Sequence, residues 1–365
     1  MLTVYSTVQC THRPAYVVKN GVRSASFDVP ERVDSILSAI RESGLGVVIQ
    51  PAGTGLDPIY AVHDAGMIEY LATANARHRT EDDTSTPVFP TFFAPPGQRR
   101  RPSCFEGQKG FYCTNMGVPI DENTWEAAVA SARCAVTGAM CLRSGEQFVY
   151  ALCRPPGHHA GPDFFGGYCY LNNAAIAAAI LRKNDERVGI LDIDYHHGNG
   201  TQAIFYADPN VWYGSLHIDP DTDYPFYAGY ADETGTKAGK GTNCNVPLPP
   251  GTSQELYIST LETLLDGLTS FDPRWLVVSA GFDTYIHDPI GTFQVTTSGF
   301  SEIGRRVRAL SKPTLVVQEG GYRVPDLGPN VVAFLSAWIG EKENNSDKTE
   351  RAKEWTISHS TITEQ

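Results

Sequence analysis

The run Asp192-Ile193-Asp194-Tyr195-His196-His197-Gly198-Asn199-Gly200 sets carboxylates and imidazoles at alternate positions behind an apolar stretch. In an extended strand, side chains at i and i+2 point the same way, so Asp194 and His196 can reach one ion. A carboxylate with an imidazole suits zinc or another first-row divalent metal. A third ligand must come from elsewhere. Asp283, in Ser279-Ala280-Gly281-Phe282-Asp283, closes another apolar run and is the candidate. Three protein ligands leave a position open for water, as a catalytic zinc site requires.

Two further runs could complete such a site. Arg154-Pro155-Pro156-Gly157-His158-His159-Ala160 places two imidazoles after a backbone constrained by prolines and a glycine. Water activated on a metal needs a base, and a departing amine needs an acid. His158 and His159 could supply both roles, one charged and one neutral. Glu319-Gly320-Gly321-Tyr322 allows a sharp turn before a phenol, and Tyr322 opposite a metal could stabilise an oxyanion.

These residues must be positioned by something rigid. Phe148 to Cys153, Val188 to Asp194, Val211 to His217, Trp275 to Gly281 and Thr314 to Gln318 are short apolar runs suited to strands buried on both faces. Helical stretches alternate with them. Asn123 and Glu126 predict a capping box, and the alanine-rich stretch Asn172 to Arg182 predicts a helix packed closely on a sheet. The alternation predicts a single α/β domain with a central, mainly parallel sheet flanked by helices. The chemistry-bearing runs all begin where a strand ends, and the sites of open parallel sheets lie outside the carboxyl ends of their strands.

Composition narrows the function. The chain of 365 residues has a formal charge of -12, which argues against a nucleic-acid binder and is compatible with a cationic substrate. Its eight cysteines form no CxxC pair and are expected as free thiols. No secretory signal opens the chain, and no apolar run approaches the length of a membrane span, so the expected location is the cytoplasm, away from the membrane.

Together RPPGHHA, GGYCYLNNAA, DIDYHHGNGTQ, SLH, SAGFDT and EGGY resemble the arginase/deacetylase superfamily, and within it the histone deacetylase-like amidohydrolases. The resemblance runs to about Gly340. FEGQKGFYC (Phe105 to Cys113), YPFYAGYADETG (Tyr224 to Gly235) and a proline-rich insertion make the bacterial acetylpolyamine amidohydrolases the nearest likeness. The likeness implies one zinc per subunit on Asp194, His196 and Asp283, with His158 and His159 as acid/base pair and Tyr322 on the substrate carbonyl. It implies that Asp192 orients His158, and that Gly167, Tyr168 and Tyr224 line a tunnel for an alkyl chain. It also implies a structural potassium at the carbonyls of Asp192, Asp194, His196 and Leu216 and the Ser215 hydroxyl. Asn199 stands where many histone deacetylases carry Asp behind the second histidine, and a neutral amide should leave His159 less basic. The amidohydrolases also carry Asn there.

The domain is expected over residues 1–340, followed by a polar tail over 341–365. An insertion at about 77–104, rich in proline, arginine and aromatics, is not expected to form a regular strand or helix. Val88, Phe89, Phe92 and Phe93 are many apolar groups for one loop, which predicts a homodimer built by the insertion and a mouth shaped by it. Glu106, just beyond, could attract the distal ammonium of a polyamine. The reaction implied is hydrolysis of a small N-acetylated amine. The rival readings are a protein acetyl-lysine deacetylase, an inactive acetyl-group binder, and a ureohydrolase on the same fold.

Overall fold

The computed structural model describes residues 1–339 except Pro96, Gln98 and Arg99, so the polar tail lies outside the described residues. Among these, ten strands form: β1 (Leu2–Val4), β2 (Val17–Lys19), β3 (Val22–Ser24), β4 (Val47–Ile49), β5 (Phe148–Ala151), β6 (Val188–Asp192), β7 (Val211–Ile218), β8 (Asn243–Leu248), β9 (Trp275–Ala280) and β10 (Thr314–Gln318). Eight build one sheet in the order β4-β1-β5-β10-β9-β6-β7-β8, with every neighbouring pair parallel. The remaining two, β2 and β3, form a separate hairpin.

The expected α/β architecture is present, and the period of two along the strands explains its layers. Val149, Val277, Leu315 and Val317 face one side, where the helices Thr124–Arg143 and Asn173–Leu181 cover them. Tyr150, Leu276, Val278 and Val316 face the other, against the helices Glu31–Glu42, Gln254–Phe271, Thr297–Ala309 and Val324–Leu335. Ala174, Ala175, Ala177 and Ala178 of Asn173–Leu181 are fully buried on the sheet, and Asn172 caps that helix by accepting from the Ala175 amide at 2.9 Å.

Three expectations change. Asn123 makes no capping bond. Asp121 instead braces the turn before the helix, accepting from the Asn123 amide (3.0 Å) and the Thr124 hydroxyl (2.8 Å). β6 stops at Asp192, so Asp194 and His196 stand in the bends beyond it and not on a continuous strand. The segment expected to be irregular from Arg77 begins as helix, because Arg77–Glu81 completes Ala65–Glu81. Within the insertion, Val88 is buried and bridges to Ile120, and Phe89 stacks on Tyr16. Phe92 (71% exposed) and Phe93 (43%) stay in solvent.

Candidate functional site

The strands β5, β10, β9, β6 and β7 are consecutive neighbours, and their carboxyl ends carry all five chemistry-bearing runs. Convergence therefore follows from sheet order, since parallel strands deliver their following residues to one rim.

Asp194, His196 and Asp283 each offer a ligand atom, and the three atoms lie within 4.8 Å of one another. All three side chains are buried. His196 Nδ1 is 3.4 Å from Asp283 Oδ2 and 3.6 Å from Asp194 Oδ1. The Tyr195 amide donates to Asp283 Oδ1, whereas Asp283 Oδ2 is buried without a hydrogen bond. A buried carboxylate oxygen left unpaired is costly unless a cation meets it. Burial, reinforced by the Asp194 carboxylate, raises the pKa of Asp283. Burial alone would lower that of His196, but Asp194 and Asp283 push it up to about 9. The trio thus calls for positive charge, and a dication fits the donor set.

The backbone is cut to suit these carboxylates. Gly320 donates its amide to Asp194 Oδ2 at 2.9 Å, and a Cβ on Gly320 would fall 2.5 Å from Asp283 Oδ2. A Cβ on Gly281 would fall 2.1 Å from Asp194 Oδ2. Gly321 has φ +111°, the sharp turn that presents Tyr322.

The two histidines stand in opposite electrostatic surroundings. His158 Nδ1 donates to Asp192 Oδ2 at 3.1 Å, and the Tyr213 hydroxyl donates to the same oxygen at 3.0 Å. Burial would depress His158, but the carboxylates of Asp194, Asp192 and Glu319 outweigh it and push the imidazole up to about 10. His159 Nδ1 donates to Asn199 Oδ1 at 2.8 Å. Burial and the neighbouring charge of His158 hold His159 well below its ordinary value. The amide oxygen assigns the proton to Nδ1, leaving Nε2 as a free base.

A cavity of 640 Å³ reaches this floor, and His159, Gly167, Tyr168, His196, Tyr224 and Tyr322 line it together. The Tyr224 ring stands edge-on to His159 with centroids 4.7 Å apart. Burial raises Tyr322 well above its ordinary value, so it remains a neutral phenol able to donate. Glu106 is not among the residues lining the cavity; its carboxylate is 2.7 Å from Lys109 Nζ, on the short helix Phe105–Lys109. Ser215 is buried on β7 opposite Asp192 in the register, followed by buried Leu216, and its hydroxyl lies 2.8 Å from His217 Nδ1.

Four positioning groups were given no role by the sequence, although Glu319 opens the EGGY run. Asp288 accepts from the Tyr322 amide at 2.7 Å. Glu319 accepts from the amides of Gly157 (2.7 Å) and His158 (3.2 Å), tying β10 to the histidine loop. Arg32 donates to the carbonyls of Gly321 (2.7 Å) and Glu319 (2.6 Å), and Asp28 bridges Arg32 to Arg154. Burial would raise Asp28, but Arg154 and Arg32 hold it below the usual carboxylate range. A second trio, His158, Cys169 and Glu319, also gathers within 4.8 Å. Its donors are already engaged with Asp192 and the histidine loop, and burial drives the Cys169 thiol well above its ordinary pKa, so it suits a metal poorly.

The histone deacetylase domain model matches residues 26–338. The chain is 41% identical over 346 residues to acetylpolyamine amidohydrolase 1 of Pseudomonas aeruginosa, which spans 93% of this chain and 99% of that protein. It is 42% identical over 315 residues to the acetylpolyamine amidohydrolase of Mycoplana ramosa, spanning 86% and 92%. The crystal structure of acetylpolyamine aminohydrolase from Burkholderia pseudomallei (iodide soak) matches with a TM-score of 0.89 at 39% identity, covering 93% of this chain and 98% of that one.

Proposed function

The chain belongs to the histone deacetylase domain family, and from that premise we propose that it is a zinc-dependent amidohydrolase that deacetylates N-acetylated polyamines or related small acetylated amines. The observation that carries the reading is the unpaired, buried Asp283 Oδ2 beside His196 and Asp194, at the end of a cavity that also holds His159 and Tyr322.

Zinc, when bound by Asp194, His196 and Asp283, supplies Lewis acidity toward an acetyl carbonyl and water. His159 Nε2 takes the proton of the attacking water, because Nδ1 is held by Asn199. The Tyr322 hydroxyl donates to the carbonyl oxygen as negative charge gathers there. His158, anchored by Asp192, is biased by the carboxylates around it toward the charged form next to the reacting centre, and His159 returns its proton to the departing amine. Gly167, Tyr168 and Tyr224 enclose the alkyl chain.

The finer parts of the reading rest on the resemblance. A structural potassium would take the carbonyls of Asp192, Asp194, His196 and Leu216 with the Ser215 hydroxyl. The domain would run to about Gly340, and the enzyme would act in the cytoplasm; no helix among the described residues is long and apolar enough to cross a membrane. The insertion, with Phe92 and Phe93 exposed, would build a homodimer and narrow the mouth. Glu106 could serve a substrate ammonium there only by sharing its carboxylate with Lys109.

The test is turnover of acetylputrescine, acetylspermidine and an acetyl-lysine peptide, side by side, by zinc-loaded enzyme. The small amines should be preferred. Preference for the peptide would replace this reading with a protein deacetylase.

A further inference from the structure

The cavity mouth mixes aromatic and aliphatic groups with neutral polar ones and one cation, Lys19, and among the described residues that line it Asp223 is the sole carboxylate. Its place is fixed by the fold. Asp223 directly precedes Tyr224, the ring packed edge-on against His159, and Asp223 Oδ1 accepts from the Tyr224 amide at 2.7 Å. The other oxygen is weakly used. Tyr195 Oη reaches Asp223 Oδ2 only at 3.5 Å, while its shorter bond, 3.0 Å, goes to Thr292. Among the described residues no lysine, arginine or histidine forms an ion pair with Asp223, in contrast to Glu106 and its Lys109.

A half-buried carboxylate with no ion-pair partner among the described residues, lining a passage walled largely by aromatic, aliphatic and neutral polar groups, is complementary to a cation arriving from outside. The passage leads to the groups that would hold the acetyl end. A substrate that fills it with a short methylene chain brings its far end back to the mouth. We propose that Asp223 selects substrates whose distal end is a protonated amine, by receiving that ammonium on Oδ2. This inference rests on the amidohydrolase reading above and names the residue that makes it specific for amines.

The test compares kcat/KM for N-acetylputrescine, N-butylacetamide and 4-acetamidobutanoate, which have similar chain lengths and cationic, neutral and anionic ends. Asp223→Asn keeps an acceptor for the Tyr224 amide and removes only the charge. The acetylputrescine to N-butylacetamide ratio should fall at least about tenfold in this variant, and 4-acetamidobutanoate should gain relative to both. In the unaltered enzyme the same ratio should fall as salt rises from low to high, a measurement that needs no variant to fold. Asp223→Glu should restore much of the ratio. An unchanged ratio, or equal losses on the cationic and neutral substrates, would reduce Asp223 to a support for Tyr224 and overturn the inference alone. If the unaltered enzyme hydrolyses none of the three small amides but does deacetylate a peptide, both the inference and the small-amine reading fall.

Discussion

The floor of the cavity and its mouth are built on opposite plans. The floor is formed by residues at the ends of neighbouring strands, nearly all buried, each held by at least one defined partner. The mouth is formed by the β2–β3 hairpin, the insertion and the loop around Tyr224, where Phe93, Phe226 and Lys19 stand at least partly in solvent. A rigid floor suits chemistry, which needs atoms held within a fraction of an ångström. A loop-built mouth suits selection among substrates, because loops change without disturbing the sheet. On this contrast, floor substitutions should abolish turnover of every substrate, and mouth substitutions should reorder substrates.

Asp283→Ala should have the largest effect. Bound zinc, measured by metal analysis of the purified protein, should be lost along with activity on all acetylated amines. Full zinc occupancy in this variant would remove Asp283 from the ligand set. Tyr322→Phe comes next. The fold and zinc content should persist while kcat falls on the order of 10²–10³, the cost of one oxyanion donor. Near-normal kcat would break the view that the phenol belongs to the floor's chemistry.

A third prediction concerns the scaffold under the floor. His63 Nδ1 donates to the Gly161 carbonyl at 2.7 Å, and Nε2 accepts from the Asn172 amide at 2.9 Å, so both nitrogens are used only by the neutral ring. Burial lowers its pKa from 6.5 to about 4. The unfolded chain therefore takes up this proton first as pH falls. The stability His63 contributes is complete above pH 6.5 and is lost between pH 6.5 and about 4. The loss amounts to about 3 kcal/mol at one pKa unit per 1.4 kcal/mol. Urea titrations of the protein and of His63→Gln should show the flatter pH dependence in the variant; parallel curves would contradict the assignment. The smallest effect on chemistry belongs to the mouth. Phe92→Ser should weaken self-association in sedimentation while leaving zinc content intact. An unaltered chain that sediments as a monomer at micromolar concentration would remove the dimer from the description.

The same contrast governs what could be read without coordinates. Asp194, His196, His158, His159 and Tyr322 sit in short local motifs beside apolar runs, so residue type and spacing carried them. The five central strands are apolar and uninterrupted, and they were legible for the same reason. β1 and β4 are only three residues long, and β8 contains Pro247, which its position at the sheet edge tolerates. None of these announces itself. Arg32 meets Gly321 across 289 residues of sequence, and Asp288 meets Tyr322 across 34, so neither role has a local signature. Asp223 lies in a run of polar loop residues, where one carboxylate looks like any other until the cavity is seen. The insertion was read as more exposed than it is, because composition cannot tell that Val88 pairs with Ile120 or that Phe89 finds Tyr16.

β10 leaves the ribosome after every other strand of the described residues, yet its seat is in the middle of the sheet, between β5 and β9. Until it arrives, the strands already made can form only two ribbons, β4-β1-β5 and β9-β6-β7-β8, each with an open edge facing the gap. Asp194, His196 and Asp283 all lie on the second ribbon, whereas the Gly320 amide that steadies Asp194 and the Tyr322 phenol come with β10. A nascent chain thus has the three proposed metal ligands on one ribbon before the Tyr322 phenol joins them. It also exposes two complementary strand edges that invite mispairing with other chains. The Tyr322 phenol and the covering of both open edges arrive together, when one five-residue strand closes the seam.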